Sequence, residues 1–171
     1  MIKLDADPVR FGQSFVGSEA FKALFQEGME LIEETAAYLD GDGREESRQL
    51  VRQASLAYAS ESMRLTTRLM QIASWLLLQR AVAEGEMSPD QAQTEKNRVR
   101  LNSKDASASI SDFEALPVRL RELIGLAARL HARILHLDRL ITEGETAPRP
   151  APANPVATQL GLLQKAFDPS E

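Results

Sequence analysis

Apolar residues recur along this chain at steps of three and four, which is the spacing of one face of an α-helix. From Ser18, a good helix N-cap, apolar positions continue from Phe21 to Leu39 before Asp40-Gly41-Asp42-Gly43. The glycines of that motif suit a tight turn. The pattern predicts a first helix of about 22 residues. No segment shows the strict apolar–polar alternation of a half-buried strand, so the expected class is all-α.

Three further helices are predicted. The second runs from about Arg44 to about Glu84, because no proline or glycine interrupts the segment. Ser88-Pro89-Asp90-Gln91 then starts a short helix, with serine as N-cap and proline at the first helical position. The last long helix runs from Leu116-Pro117 to Glu143-Gly144. Together these elements predict an antiparallel three-helix bundle with one very long central helix and a short extra helix in the second connection.

The remaining segments are predicted to lie outside the bundle. Residues 1–17 are expected to be an N-terminal arm, 18–144 the dimerising helical domain, and Leu101–Asp112 a mobile connector. Residues 145–171 contain four prolines close together and are expected to be a disordered tail. The tail ends in a short apolar motif that is a candidate partner-binding site, formed by Leu160, Leu162, Leu163 and Phe167.

The long second helix has two apolar stripes on opposite sides. One stripe is spaced by sevens and comprises Leu56, Met63, Met70 and Leu77. The other comprises Tyr58, Leu65, Leu69, Ile72 and Leu76. At about 100° per residue, positions 56 and 58 lie about 200° apart, so a single core can cover only one stripe. The sequence does not decide which stripe is the core.

A symmetric homodimer is the simplest cover for the second stripe, since a large exposed apolar stripe favours aggregation in a monomer. The candidate dimer interface is the stripe of Leu56, Met63, Met70 and Leu77. The alternative is that the arm and the connector fold over that stripe within one chain.

Candidate chemistry is sparse. The chain has no cysteine, which excludes disulfides and thiolate chemistry. His131 and His136 are about 140° apart on a helix and do not converge on a metal. No catalytic, cofactor-binding or metal-binding residue is predicted, and we expect neither an enzyme nor a small-molecule substrate. The carboxylate of Glu61 lies among apolar neighbours in the sequence. We expect it to pair with Arg64, Arg68 or a group on a partner chain.

Charge and hydropathy limit the partners. The formal charge of −5 argues against a general nucleic-acid or anionic-membrane surface. Apolar runs are too short to cross a bilayer and no signal peptide is evident, so we expect a soluble cytoplasmic protein. The last helix nevertheless carries Arg119, Arg121, Arg129, Arg133 and Arg139. We expect these arginines to pair with glutamates of the first helix; the alternative function is a DNA-associated regulator that uses them.

The central helix also carries a family resemblance. It resembles the RcdA family, regulators of CtrA degradation in alphaproteobacteria, over the run from Ala54 to Gln71 (ASLAYASESMRLTTRLMQ) and on through Ala73–Ala81 (ASWLLLQRA). The similarity extends to Phe21–Phe25, Glu33–Asp40 and the Gly85-Glu86-Met87 stop.

The resemblance implies a catalytically inactive, dimeric adaptor. Members of this family work with the ClpXP protease once it is primed by CpdR. They help to deliver cell-cycle substrates such as CtrA, with PopA as a further partner. It also implies a cytoplasmic location, with concentration at a cell pole. A tether of this kind needs no catalytic groups, because holding substrate and protease together raises their effective concentration.

Overall fold

The computed structural model describes residues 11–98 and 110–146, and this part of the chain contains helices and no strand. In chain order the helices are α1 (Phe11–Val16), α2 (Glu19–Asp40), α3 (Asp42–Arg48), α4 (Arg52–Ala83), α5 (Pro89–Arg98), α6 (Ile110–Glu114) and α7 (Val118–Thr146). The predicted all-α bundle with one long central helix is confirmed. The tail beyond Thr146 lies outside the described residues.

Helix α2 begins and ends where the sequence predicts. The Ser18 side chain accepts a hydrogen bond from the Phe21 backbone N–H, so one unpaired donor of the first turn is satisfied. At the other end, the Gly41 N–H donates to the carbonyls of Ala37 and Tyr38. The predicted length of about 22 residues is confirmed.

The single helix predicted from Arg44 to Glu84 is wrong, because the chain breaks between α3 and α4. Val51 has an extended backbone (φ −64°, ψ 155°), which ends the helical path. The cause is tertiary packing: the Tyr38 hydroxyl donates to Glu46 Oε2 at 2.8 Å and ties α3 to the end of α2. A Cβ at Gly43 would lie 2.8 Å from the Tyr38 carbonyl oxygen, so only glycine allows this close approach.

The arm and the connector each contain a helix that was not predicted. Helix α1 lies in the arm and buries Val16, and the Phe15 ring meets Phe21 edge-on at 6.1 Å between centroids. Helix α6 occupies the end of the connector, and the Gln53 amide donates to Asp112 at 3.2 Å. Both helices are too short for a clear periodic pattern, and tertiary contacts hold them. Residues 1–10 and 101–109 lie outside the described residues.

The core lies between α2, α4 and α7. Ion pairs place Arg119 beside Glu34 and Arg133 beside Glu27, so α7 runs antiparallel to α2. Along α4, hydrogen bonds join residue 53 to 112 and residue 75 to 138, so α4 and α7 run in the same direction. The largest fully buried apolar side chains are Leu65, Ile72, Leu76, Leu120, Leu123 and Leu130.

Helix α5 crosses the outside of α4 and α7 near their C-terminal ends. Its predicted capping box is confirmed: the Gln91 side chain accepts from the Ser88 N–H at 3.0 Å and Ser88 Oγ accepts from the Gln91 N–H at 3.2 Å. Lys96 Nζ donates to Asp138 Oδ1 at 2.6 Å, and Ala92 is buried. The short helix is thereby fixed to the bundle.

Candidate protein interaction surface

The two stripes of α4 have opposite environments in the single chain. On one side Leu65, Leu69, Ile72 and Leu76 are at most 5% exposed and form the core with α2 and α7. On the other side the heptad-spaced residues are largely exposed: Leu56 66%, Met63 73%, Met70 65% and Leu77 53%. The structure thus decides the question that the sequence left open. The stripe of Leu56, Met63, Met70 and Leu77, here called the outer stripe, is not core.

The outer stripe is long and straight enough for another helix to lie along it. From Leu56 to Leu77 it spans about 31 Å at 1.5 Å per residue. Its strict seven-residue spacing drifts by about 20° per heptad on a straight helix, which favours packing against a second helix with a slight supercoil.

Two hydroxyl groups near the outer stripe are hydrogen-bonded within the helix. Thr66 Oγ1 donates to the Ser62 carbonyl at 2.9 Å, and Ser74 Oγ donates to the Met70 carbonyl at 2.8 Å. No charged residue lies on this face of the helix between Leu56 and Leu77. Covering the surface would therefore remove apolar area from water without burying a charge, and these two hydroxyls would keep their hydrogen bonds.

Glu61 is buried on the opposite, core-facing side of α4. It is 8% exposed, and Arg64 Nη1 donates to its Oε1 at 2.6 Å. The expectation that a carboxylate at this position would be paired is confirmed for Arg64. Since Arg64 lies one turn along the same helix, the Glu61 carboxylate is paired within the chain.

The arginines of α7 are partly neutralised within the chain. Arg133 Nη1 contacts both carboxylate oxygens of Glu27 at 2.8 Å, and Arg119 pairs with Glu34 and Glu122. The expected pairing with the first long helix is confirmed for these two arginines. A continuous basic face for DNA is correspondingly weakened, because phosphate binding requires uncompensated cations.

The described residues assemble no metal centre. No group of three or more His, Cys, Asp or Glu side chains in residues 11–98 and 110–146 could hold a metal ion. His131 lines an opening between α4 and α7, whereas His136 is exposed, so the two do not face a common point. Among the described helices, none is long and apolar enough to span a bilayer.

The phenol of Tyr38 is a clearly perturbed titratable group. Burial, together with the hydrogen bond to Glu46, raises the pKa of Tyr38 well above its ordinary value of 10.0. The hydroxyl is therefore a hydrogen-bond donor at neutral pH and holds α3 against α2. Its role is structural, because its hydrogen bond to Glu46 joins the two helices.

Asp138 is an organising residue that the sequence did not reveal. Its Oδ1 accepts from Lys96 Nζ at 2.6 Å and from Trp75 Nε1 at 2.9 Å, so one carboxylate joins α4, α5 and α7. The contact between Trp75 and Asp138 joins residues 63 positions apart. No local pattern could have signalled it.

The tail candidates Leu160, Leu162, Leu163 and Phe167 lie outside the described residues. Of the predicted site residues, the structure therefore places only the outer stripe, and it brings its four members onto one exposed surface.

Comparisons with known proteins identify the family of this chain. A family model described as "Protein of unknown function (DUF1465)", the domain of the RcdA family, matches residues 12–167. Among solved structures, the crystal structure of RcdA from Caulobacter crescentus CB15 shares 50% sequence identity, with a TM-score of 0.61. That alignment covers 75% of this chain and 96% of the solved one. The search of curated proteins found no match. The family model spans most of the chain and the related structure is half identical, so this chain belongs to the RcdA family.

Proposed function

We propose that this protein is a non-enzymatic adaptor that assists regulated, cell-cycle-dependent proteolysis. In this proposal it delivers substrates such as CtrA to ClpXP primed by CpdR, with PopA as a further partner. Family membership supports the proposal, and so does a helical body whose most prominent surface feature is apolar and uncharged. A tethering role requires surfaces that bind proteins, and the outer stripe is such a surface.

The observation that carries the proposal is the exposure of the outer stripe. Four large apolar side chains, each more than half exposed, lie in line on one face of α4. Monomeric proteins rarely expose contiguous apolar surface of this kind without an interaction purpose. The absence of charge on this face favours a second copy of the same chain, because two copies of a chain with net charge −5 repel least across a neutral surface.

In the proposed mechanism the dimer is a scaffold. The two outer stripes meet across a two-fold axis, and the remaining surfaces of each chain hold the primed protease and its substrate. Holding both on one scaffold gives an effective concentration in about the millimolar range, which accelerates degradation without any chemical step in the adaptor. The apolar tail motif supplies a further contact for some substrates.

Reconstituted proteolysis tests the adaptor role. Degradation of CtrA by ClpXP with CpdR and PopA is measured with and without this protein, and we expect degradation to be accelerated only when it is present. Equal rates in both reactions would contradict the proposal.

A truncation tests the tail. Removal of residues 146–171 should leave helicity and oligomeric state unchanged, since the last buried core residue of the described part of the chain is Ile141, while delivery of some substrates weakens. Full delivery of every substrate by the truncated protein would contradict a role for Leu160, Leu162, Leu163 and Phe167.

A further inference from the structure

A second apolar surface lies beside the outer stripe, in an opening between α4, α5 and α7. The opening has a volume of about 80 Å³. Its apolar lining comes from Trp75, Leu78, Ile134 and Leu135. Leu135 is 47% exposed, so the apolar lining continues onto the surface.

Several polar groups of the opening are hydrogen-bonded within the chain. Asp138 Oδ1 accepts from both Lys96 and Trp75, and Ser74 Oγ donates to the Met70 carbonyl. The rim therefore has a charge pair that is internally balanced. An occupant would gain chiefly by burying apolar surface, at about 25 cal/mol per Å².

The opening is small. A cavity of about 150 Å³ accommodates a benzene ring. The opening here, at about 80 Å³, is smaller and is open to the surface along Leu135, so it has room to seat one aliphatic side chain such as leucine.

We propose that this opening is the docking site for the chain's own segment 160–167, with one of Leu160, Leu162 and Leu163 inserted between Leu78 and Leu135. The segment has the matching chemistry, because Lys165 is the only charged residue between Val156 and Phe167. The family match extends to residue 167, the last residue of this segment, so the segment belongs to the family pattern.

Chain length permits docking within one molecule. Leu135 lies 11 residues before Thr146, which is about 16 Å along α7. The 13 residues from 147 to 159 can span about 40 Å at 3.1 Å per residue. The segment can therefore turn back and reach the opening with length to spare.

Intramolecular attachment makes even weak docking effective. A tethered segment has an effective concentration of about 1 mM, so a site with a dissociation constant of about 0.1 mM would be roughly nine-tenths occupied. This goes beyond the proposed function, because docking needs no protease, substrate or second chain. A protein that binds the tail would first have to displace it.

Fluorescence of Trp75 provides a direct test. The chain has one tryptophan, which lines the opening, and no cysteine, so a single introduced thiol can carry a label. A nitroxide is attached to full-length protein bearing Gln164→Cys, and Trp75 emission is compared with that of the same protein after reduction of the nitroxide. We expect the label to quench most of the emission.

Matched variants localise the contact. Leu135 and Leu140 are both partly exposed leucines of α7, and only Leu135 lines the opening. Leu135→Glu should restore emission at least several-fold, whereas Leu140→Glu should leave quenching unchanged. Replacement of Leu160, Leu162 and Leu163 by serine should also restore emission. Circular dichroism checks that each variant keeps its helicity.

Mixing separates docking within one chain from docking between chains. Labelled chains carrying Trp75→Phe are unfolded and refolded together with unlabelled chains, so that mixed dimers form and only contact between chains can quench. Unchanged emission in this mixture supports the proposal. Quenching in this mixture, quenching that survives Leu135→Glu or the serine replacements, or no quenching at all would overturn it.

Discussion

The two sides of α4 are alike in composition and opposite in environment. The core side buries Leu65, Ile72 and Leu76 almost completely, while the outer stripe leaves Met63 and Met70 about two-thirds exposed or more. Hydrophobicity alone does not distinguish them. The difference comes from the positions of α2 and α7, which pack on one side of α4 and leave the other open. An amphipathic pattern thus predicts that a surface will be buried, and neighbouring elements determine whether the cover comes from the same chain.

Adjacent leucines of α4 give the sharpest test of this contrast. Leu76 is fully buried and Leu77 is 53% exposed. We expect Leu76→Ala to lower the free energy of unfolding by about 2–5 kcal/mol, because it leaves a cavity in the core. Leu77→Ala should change it by less than about 0.5 kcal/mol when association is prevented. Urea unfolding in a Met63→Lys/Met70→Lys background measures both changes in unfolding free energy. Equal losses for the two substitutions would contradict the difference between the two sides of α4.

Two glycines in the long helices, one at a packed contact and one at an open surface, should respond in opposite ways to replacement by alanine. A Cβ at Gly28 would lie 2.5 Å from Leu76 Cδ1, inside the α2–α4 contact. Gly28→Ala should therefore cost about 1–3 kcal/mol of unfolding free energy through overpacking. At Gly125 the nearest atom is Arg129 Nη1 at 3.4 Å, the end of a flexible side chain. Gly125→Ala should stabilise α7 by about 0.5–1 kcal/mol. Thermal unfolding should therefore show a lower melting temperature for Gly28→Ala and a higher one for Gly125→Ala.

A substitution at Asp138 tests whether its hydrogen bonds with Lys96 and Trp75 hold α5 against the bundle. Asp138→Asn should cost about 1–2 kcal/mol, because Lys96 loses its charged partner. Hydrogen exchange of the α5 amides should accelerate more than that of α2. The matched control is Glu84→Gln, which breaks the exposed Arg80–Glu84 pair and should cost less than about 0.5 kcal/mol. Equal effects of the two substitutions would show that burial of the network contributes nothing.

The smallest expected effect concerns the exposed pairing of α7 with α2. Arg133→Ala removes a contact to Glu27 in which both side chains are about half exposed. We expect a loss of about 0.2–1 kcal/mol that shrinks with added salt, since screening weakens surface pairs. A loss above about 2 kcal/mol would contradict the assignment of this pair to the surface. Unfolding at low and high salt provides the measurement.

Local signals in the sequence were sufficient for much of the fold. Ser18 and the Ser88–Gln91 capping box set helix starts, and the two stripes of α4 followed from residue spacing. The break before α4 could not be predicted, because no glycine or proline marks it and it depends on Tyr38 meeting Glu46. Helices α1 and α6 were missed for the same reason: tertiary contacts hold them.

Prediction of the interaction surface had a similar limit. The sequence identified the outer stripe as a candidate interface but could not exclude it from the core, because both stripes have helical spacing. In the structure, α2 and α7 pack against the same side of α4, and this packing determines which stripe is buried. Asp138 and the opening near Leu135 arise from contacts between distant segments, and a single sequence has no signal for either.

The central claim is that the outer stripe is covered by a second copy of the chain. The most direct test is the molar mass in solution, measured by size-exclusion chromatography with light scattering. We predict twice 18.9 kDa for the unmodified chain and for Val118→Lys/Leu140→Lys, which alters exposed positions on α7. Met63→Lys/Met70→Lys should give 18.9 kDa with unchanged helicity. A mass of 18.9 kDa for the unmodified chain, or a dimer that survives the Met63→Lys/Met70→Lys change, would contradict the account.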